Sequence, residues 1–124
     1  MEIKIISGKI CISATLRDTP TAKAIAAVLP IHARVQTWGE EVYFSVPASA
    51  ALEDDARDVV KPGELAFWTE GECIAIGYGR TPVSQGDEIR LAARTNIWAD
   101  AHDDVKQLAA VSAGEEITVT TSDG

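Results

Sequence analysis

Cysteine is scarce in this chain: Cys11 and Cys73 lie far apart, with no Cys-x-x-Cys spacing and no paired histidines. Neither a zinc site nor a redox dithiol is signalled, and a chain of this length needs no disulfide framework to hold a core. Both cysteines fall in strand-like runs, where free thiols behave as small hydrophobes, so both are expected to be buried. Basic charge is short as well, with 11 Lys and Arg against 19 Asp and Glu and a formal net charge of −8. Such a surface repels phosphate backbones, which argues against a nucleic-acid partner. No apolar run approaches the roughly 20 residues that span a bilayer. The start, Met1-Glu2-Ile3-Lys4-Ile5, enters a strand pattern without the cationic and apolar regions of a secretory signal. A cytoplasmic protein that does not engage a membrane is expected. Catalytic triads, phosphate-cradling glycine loops and metal-ligand spacings are missing too, so no cofactor and no metal is expected.

What remains is an ordinary globular composition, 46% hydrophobic and 24% charged, over 124 residues. That length predicts one domain covering residues 1 to 124 and burying roughly two thirds of its unfolded surface. Its organising stretch is Thr37-Trp38-Gly39-Glu40-Glu41-Val42-Tyr43-Phe44-Ser45-Val46-Pro47. Side chains alternate there: Val42, Phe44 and Val46 face one way, as core, and Glu41, Tyr43 and Ser45 the other. The second face presents an acid and a phenol beside a tryptophan.

Around this stretch the chain reads as short strands. Glu2 to Ser7 and Lys9 to Leu16 form an opening hairpin about Gly8. Asp18-Thr19-Pro20 then caps a short helix predicted from Thr21 to Leu29, stopped by Pro30. Two extended runs between Ala33 and Val46 meet near Gly39, and the acidic segment from Ala48 to Lys61 reads as a surface loop with at most one helical turn. Lys61-Pro62-Gly63-Glu64 is a turn leading into a strand from Leu65 to Thr69. Cys73 to Tyr78 follows, with Ile74, Ile76 and Tyr78 on one face and the small Cys73, Ala75 and Gly77 on the other. After a turn-rich loop from Gly79 to Asp87, a strand is predicted from Leu91 to Trp98. A second helix is predicted around Val105, Leu108 and Ala109, ended by Gly114, then a last strand over Ile117 to Thr121 and a frayed tail, Ser122-Asp123-Gly124. The total is about eight short strands and two helices, spacing that predicts a closed or nearly closed barrel. Trp38, Trp68 and Trp98 are evenly spaced, but their neighbours do not match and no repeat is implied.

With these residues placed, the chain resembles the small single-domain prokaryotic proteins of atypical cyclophilin-like fold, over nearly its whole length. The resemblance is carried by Trp38-Gly39-Glu40-Glu41-Val42-Tyr43-Phe44 with Pro47, by Pro62-Gly63-Glu64 running into Phe67-Trp68, by Gly79-Arg80-Thr81-Pro82 and by Asn96. Thr69 departs from it, since relatives often have proline there. The resemblance implies a mainly β, eight-stranded closed barrel with helices closing its ends. It also raises peptidyl-prolyl isomerase activity, in which an arginine bonds the prolyl nitrogen as amide resonance is broken. His32-Ala33-Arg34 echoes the cyclophilin arginine stretch, but the phenylalanine and the Gly-Gly-Asp turn are missing, so the standard isomerase residues are absent.

The candidate ligand-binding residues are Trp38, Glu41, Tyr43, Trp68, Thr81, Pro82 and Asn96. Large aromatics at strand ends can wall a groove, with the indole N–H left as a donor. Paired exposed acids are ordinarily solvated, the expectation for Glu40 and Glu41 alike. Glu41 nevertheless shares the side of Tyr43, where a carboxyl beside an aromatic can take a ligand proton or be raised in pKa by partial burial. Thr81 and Pro82 offer a hydroxyl and exposed backbone in the loop after Gly79, and Asn96 is unexpected within a strand. The function expected is binding of a peptide or small molecule, with a homodimer open to it; the alternatives are an isomerase with non-standard residues, or an enzyme using Glu41 as acid or base.

Overall fold

The opening hairpin forms where the alternation places it: Gly8, at φ +58°, turns β1 (Glu2–Ser7) into β2 (Ile10–Leu16), and Ile5 pairs with Ile12. Ile3, Ile5, Ile12 and Ala14 are all buried on one face. These and the following details come from a computed structural model that describes residues 1–122, so most of the expected frayed tail, from residue 123 on, lies outside the described residues. After the hairpin, Thr19 accepts a hydrogen bond from the Ala22 N–H and starts α1 (Pro20–Ala26). The helix ends three residues short of the predicted Leu29. Its last turn tightens when the Val28 N–H bonds the Ile25 carbonyl, three residues back, and the chain unwinds ahead of Pro30.

The chain continues through β3 (Ile31–Arg34), β4 (Gln36–Thr37), β5 (Glu41–Ser45), β6 (Arg57–Val60), β7 (Glu64–Trp68), β8 (Cys73–Gly77) and β9 (Ile89–Ala101). A short 3₁₀ helix (Val105–Ala110) and β10 (Glu116–Thr121) complete it. One antiparallel sheet runs in the order β3-β10-β1-β2-β9-β7-β8-β5-β4, with β6 joined to β9 off this path. This is a mainly β barrel, but it corrects the eight-stranded closed count: ten strands are present among the described residues. One seam is unsealed, because β3 and β4 end the path with no ladder between them. Val42, Phe44 and Val46 point into the barrel beside Phe67, Ile74, Ile76 and Trp98, and the Trp98 indole donates to the Ala66 carbonyl at 3.2 Å. No described helix is long and apolar enough to cross a membrane.

Two further differences bear on the site. The acidic segment expected to be loop contains β6, whose charges hid it: Arg57 pairs with Glu64 and Asp58 with Arg90 along the strand's flanks. β9 starts two residues earlier and ends three later than predicted, because it serves three partners in turn, β6, β7 and β2. Its first half lies over the outer face of β7 and β8, where Ile89 and Leu91 join Val60, Ala66 and Ala75 in a second small apolar cluster outside the barrel.

Candidate functional site

The outer face of the β5–β8 pair is built from small residues opposite polar and aromatic ones. Tyr43 stands across from Ala75, Ser45 from Cys73 and Glu41 from Gly77. With Ile74 and Ile76 turned into the barrel, the outward side of β8 has almost no bulk, and a hollow is left above it. Gly77 is required by that arrangement, since a Cβ there would stand 2.4 Å from Ile89 Cγ2. Opposite, the β6 register jumps, so that Asp58 faces the stretch of β9 between Arg90 and Thr95 and the chain bows outward there. The hollow between face and bow is a cavity of about 310 Å³. Cys73 and Ala75 floor it, Leu91, Ala92, Ala93 and Thr95 roof it, and Trp38, Glu41, Tyr43 and Trp68 complete its walls.

Trp38 is set by the turn between β4 and β5, where its N–H bonds the Glu41 carbonyl at 3.1 Å. Gly39 follows at φ +59°, and a Cβ there would lie 2.9 Å from Thr81 Cα and from Pro82 Cδ. Only glycine fits both the backbone and the contact. The turn is thereby clamped on the loop after β8: the Glu40 N–H bonds the Arg80 carbonyl, and Glu40 Oε1 accepts from the Arg80 N–H. Thr81 and Pro82 thus brace the wall from behind and do not line the cavity. The Thr81 hydroxyl is engaged by the Arg90 carbonyl and by Ser84.

The electrostatics of the cavity centre on Glu41. Against the expectation of a solvated acid, its residue is 6% exposed, and Oε1 is shielded from solvent with no hydrogen-bond partner among the described residues. Burial alone pushes the carboxyl up from 4.5 to about 7. The Trp68 indole Nε1 is the other buried side-chain polar atom without a partner among the described residues. Tyr43 is half-buried at the rim, its hydroxyl donating to Gln36 Oε1 at 3.1 Å.

Of the remaining candidates, Asn96 lies outside the cavity with its amide fully engaged. Its Nδ2 donates to Thr21 Oγ1 and to the Ala51 carbonyl, each at 2.9 Å, and its Oδ1 accepts from the Glu53 N–H at 2.8 Å. It ties α1 and the segment before β6 to β9, so Asn96→Ala is expected to cost ~2 kcal/mol in chemical denaturation. Arg34 is on β3, its side chain 69% exposed, where it bonds the Gly114 carbonyl at 2.9 Å. Cys73 is buried as expected, but Cys11 is exposed, because it lies on the outward face of β2 opposite Ile12 and Ala14. The small face of β8 is visible in the sequence as Cys73, Ala75 and Gly77, but its use as a cavity floor is not, and the roof residues Leu91, Ala92, Ala93 and Thr95 carry no local signal.

The nearly closed, mainly β barrel is of the cyclophilin-like class, and the chain belongs to the cyclophilin-like family, whose model matches residues 1–120. Among solved structures, the hypothetical protein AF2241 from Archaeoglobus fulgidus, determined in solution, is 30% identical with a TM-score of 0.83. The match covers 98% of this chain and 95% of that one. McbB, solved in complex with tryptophan, shares the fold at 11% identity and a TM-score of 0.70, covering 98% of this chain and 45% of McbB. No curated protein matches the chain.

Proposed function

We propose that this protein binds a small, largely apolar molecule in the outer cavity, between the β5–β8 face and the bow of β9. The supporting observation is the pair of buried polar atoms without partners, Glu41 Oε1 and Trp68 Nε1, on residues that wall one apolar cavity. Buried polar groups are almost always satisfied in native proteins, and leaving two unsatisfied costs about 1–3 kcal/mol each. A ligand that supplies a donor to Glu41 and an acceptor to Trp68 recovers that energy, and one with a flat apolar body fills the space between them. A small-molecule role also agrees with McbB, which shares this fold over 45% of its length and is known in complex with tryptophan.

Fragment screening by crystallography tests this reading. Hits are expected to collect in the cavity, and Trp38→Ala, which removes a half-exposed wall and no core contact, is expected to weaken them on the order of tenfold. Hits confined to other surfaces and indifferent to that substitution would contradict it. An isomerase reading needs a cation at the prolyl nitrogen, and the described residues lining the cavity include none. A second reading has one observation in its favour: an acid held at about 7 is matched to proton transfer near neutrality. It predicts turnover of a bound compound that is lost in Glu41→Gln while binding of that compound is retained.

A further inference from the structure

We infer that the ligand of this cavity is an organic cation, a protonated amine whose ammonium pairs with Glu41 between the aromatic walls of Trp38, Tyr43 and Trp68. The inference rests on the small-molecule reading above and names the chemistry of what is bound. Three of the chain's seven aromatic residues meet at this one cavity. Their ring faces carry negative quadrupole charge, which attracts ammonium groups and does so most strongly where water is excluded. Glu41 is the one carboxyl among the described lining residues, and the other titratable groups there are the Tyr43 phenol and the Cys73 thiol. Among the described residues no lysine or arginine lines the cavity, and the adjacent Glu40 is engaged by the Arg80 N–H. A carboxylate left without a counter-charge in an apolar site is costly, and an entering ammonium offsets part of that cost while paying its own desolvation.

Two further features agree. The Trp68 N–H lacks an acceptor among the described residues, and a hydroxyl or carbonyl oxygen on the amine would supply one. A net charge of −8 draws cations toward the surface and holds anions off. A neutral ligand facing a protonated Glu41 is the competing arrangement, and the two differ in how affinity follows charge and pH. An ammonium binds more tightly as pH rises through neutrality and Glu41 ionises, until the amine itself loses its proton. The affinity of a neutral isostere falls or stays level over the same range.

Isothermal titration of the intact protein with benzylamine, benzyl alcohol and benzoate separates these outcomes. At about pH 8, benzylamine is expected to bind on the order of tenfold more tightly than benzyl alcohol, with benzoate weakest. Glu41→Gln is expected to erase the preference for the amine. Benzyl alcohol or benzoate binding as tightly as benzylamine would overturn the cation inference and leave the small-molecule reading standing. Failure of all three to bind would also overturn it, and if fragments avoided the cavity as well, the small-molecule reading would fall with it.

Discussion

Glu41→Gln is expected to stabilise the free protein at about pH 8, by roughly 1–3 kcal/mol, and to have no such effect near pH 4. The reason is the environment of the carboxyl. In the unfolded chain it titrates near 4.5, and in the folded protein burial holds it at about 7. Between those values the folded state keeps a proton that the unfolded state has released, so stability falls as pH rises through the interval and is level above it. Glutamine never ionises and escapes that penalty. It brings an amide that is itself unpaired in the cavity, which is why the expected gain stops short of the full shift. Urea denaturation across pH reads both the gain and its disappearance in acid. A gain of stability on removing a charged group marks a group kept for something other than folding.

Glu64→Ala should do the reverse, with a loss of ~3 kcal/mol near neutral pH. Its carboxylate accepts from both Arg57 terminal nitrogens, at 2.7 and 2.6 Å, from Arg17 Nη2 at 3.2 Å and from the Lys61 N–H at 2.7 Å. Arg17 also forks onto Asp100, so the cluster joins the end of β2 to β6, β7 and β9. The Glu64 side chain is 10% exposed while its arginine partners are about a third exposed, and solvent around the arginines keeps the loss at the low end of that for a broken buried pair. The Arg57 guanidinium first, then the Lys61 amide and Arg17, hold the carboxyl at about 2. A group depressed in this way stabilises fully above its ordinary 4.5, and the contribution is lost as pH falls toward 2. Glu64 and Glu41 therefore slope in opposite directions on either side of about 4.5, and Glu41→Gln should flatten the neutral limb while leaving the acid limb in place.

The two acids also show what a sequence can and cannot reveal. Residue alternation made Val42, Phe44 and Val46 the inner face and put Glu41 and Tyr43 outside, and this holds because a strand has only two faces. Whether an outer face meets water depends on what crosses it. Glu41 looked like one of a solvated pair; it is buried because the bow of β9, some fifty positions on, closes over it, and no local pattern encodes that. The same long-range pairing hid β6, whose Arg57 and Asp58 read as loop until Glu64 and Arg90 are beside them. Thr81, Pro82 and Asn96 carried family-like patterns, and in the structure they hold the turn after β4 and the segment before β6 without reaching the cavity. Gly39 and Gly77 explain part of that patterning in physical terms, since each occupies a point where a single Cβ would collide with a neighbouring element.

Glu41 is thus both the least satisfied group among the described acids and the centre of the proposed binding site. The most direct measurement is an NMR titration of its side-chain carboxyl carbon, first in the free protein and then with benzylamine present. A midpoint near 7 is expected without ligand, moving down when the ammonium is bound. A midpoint near 4.5 in the free protein, unmoved by the amine, would show a solvated acid and contradict the account.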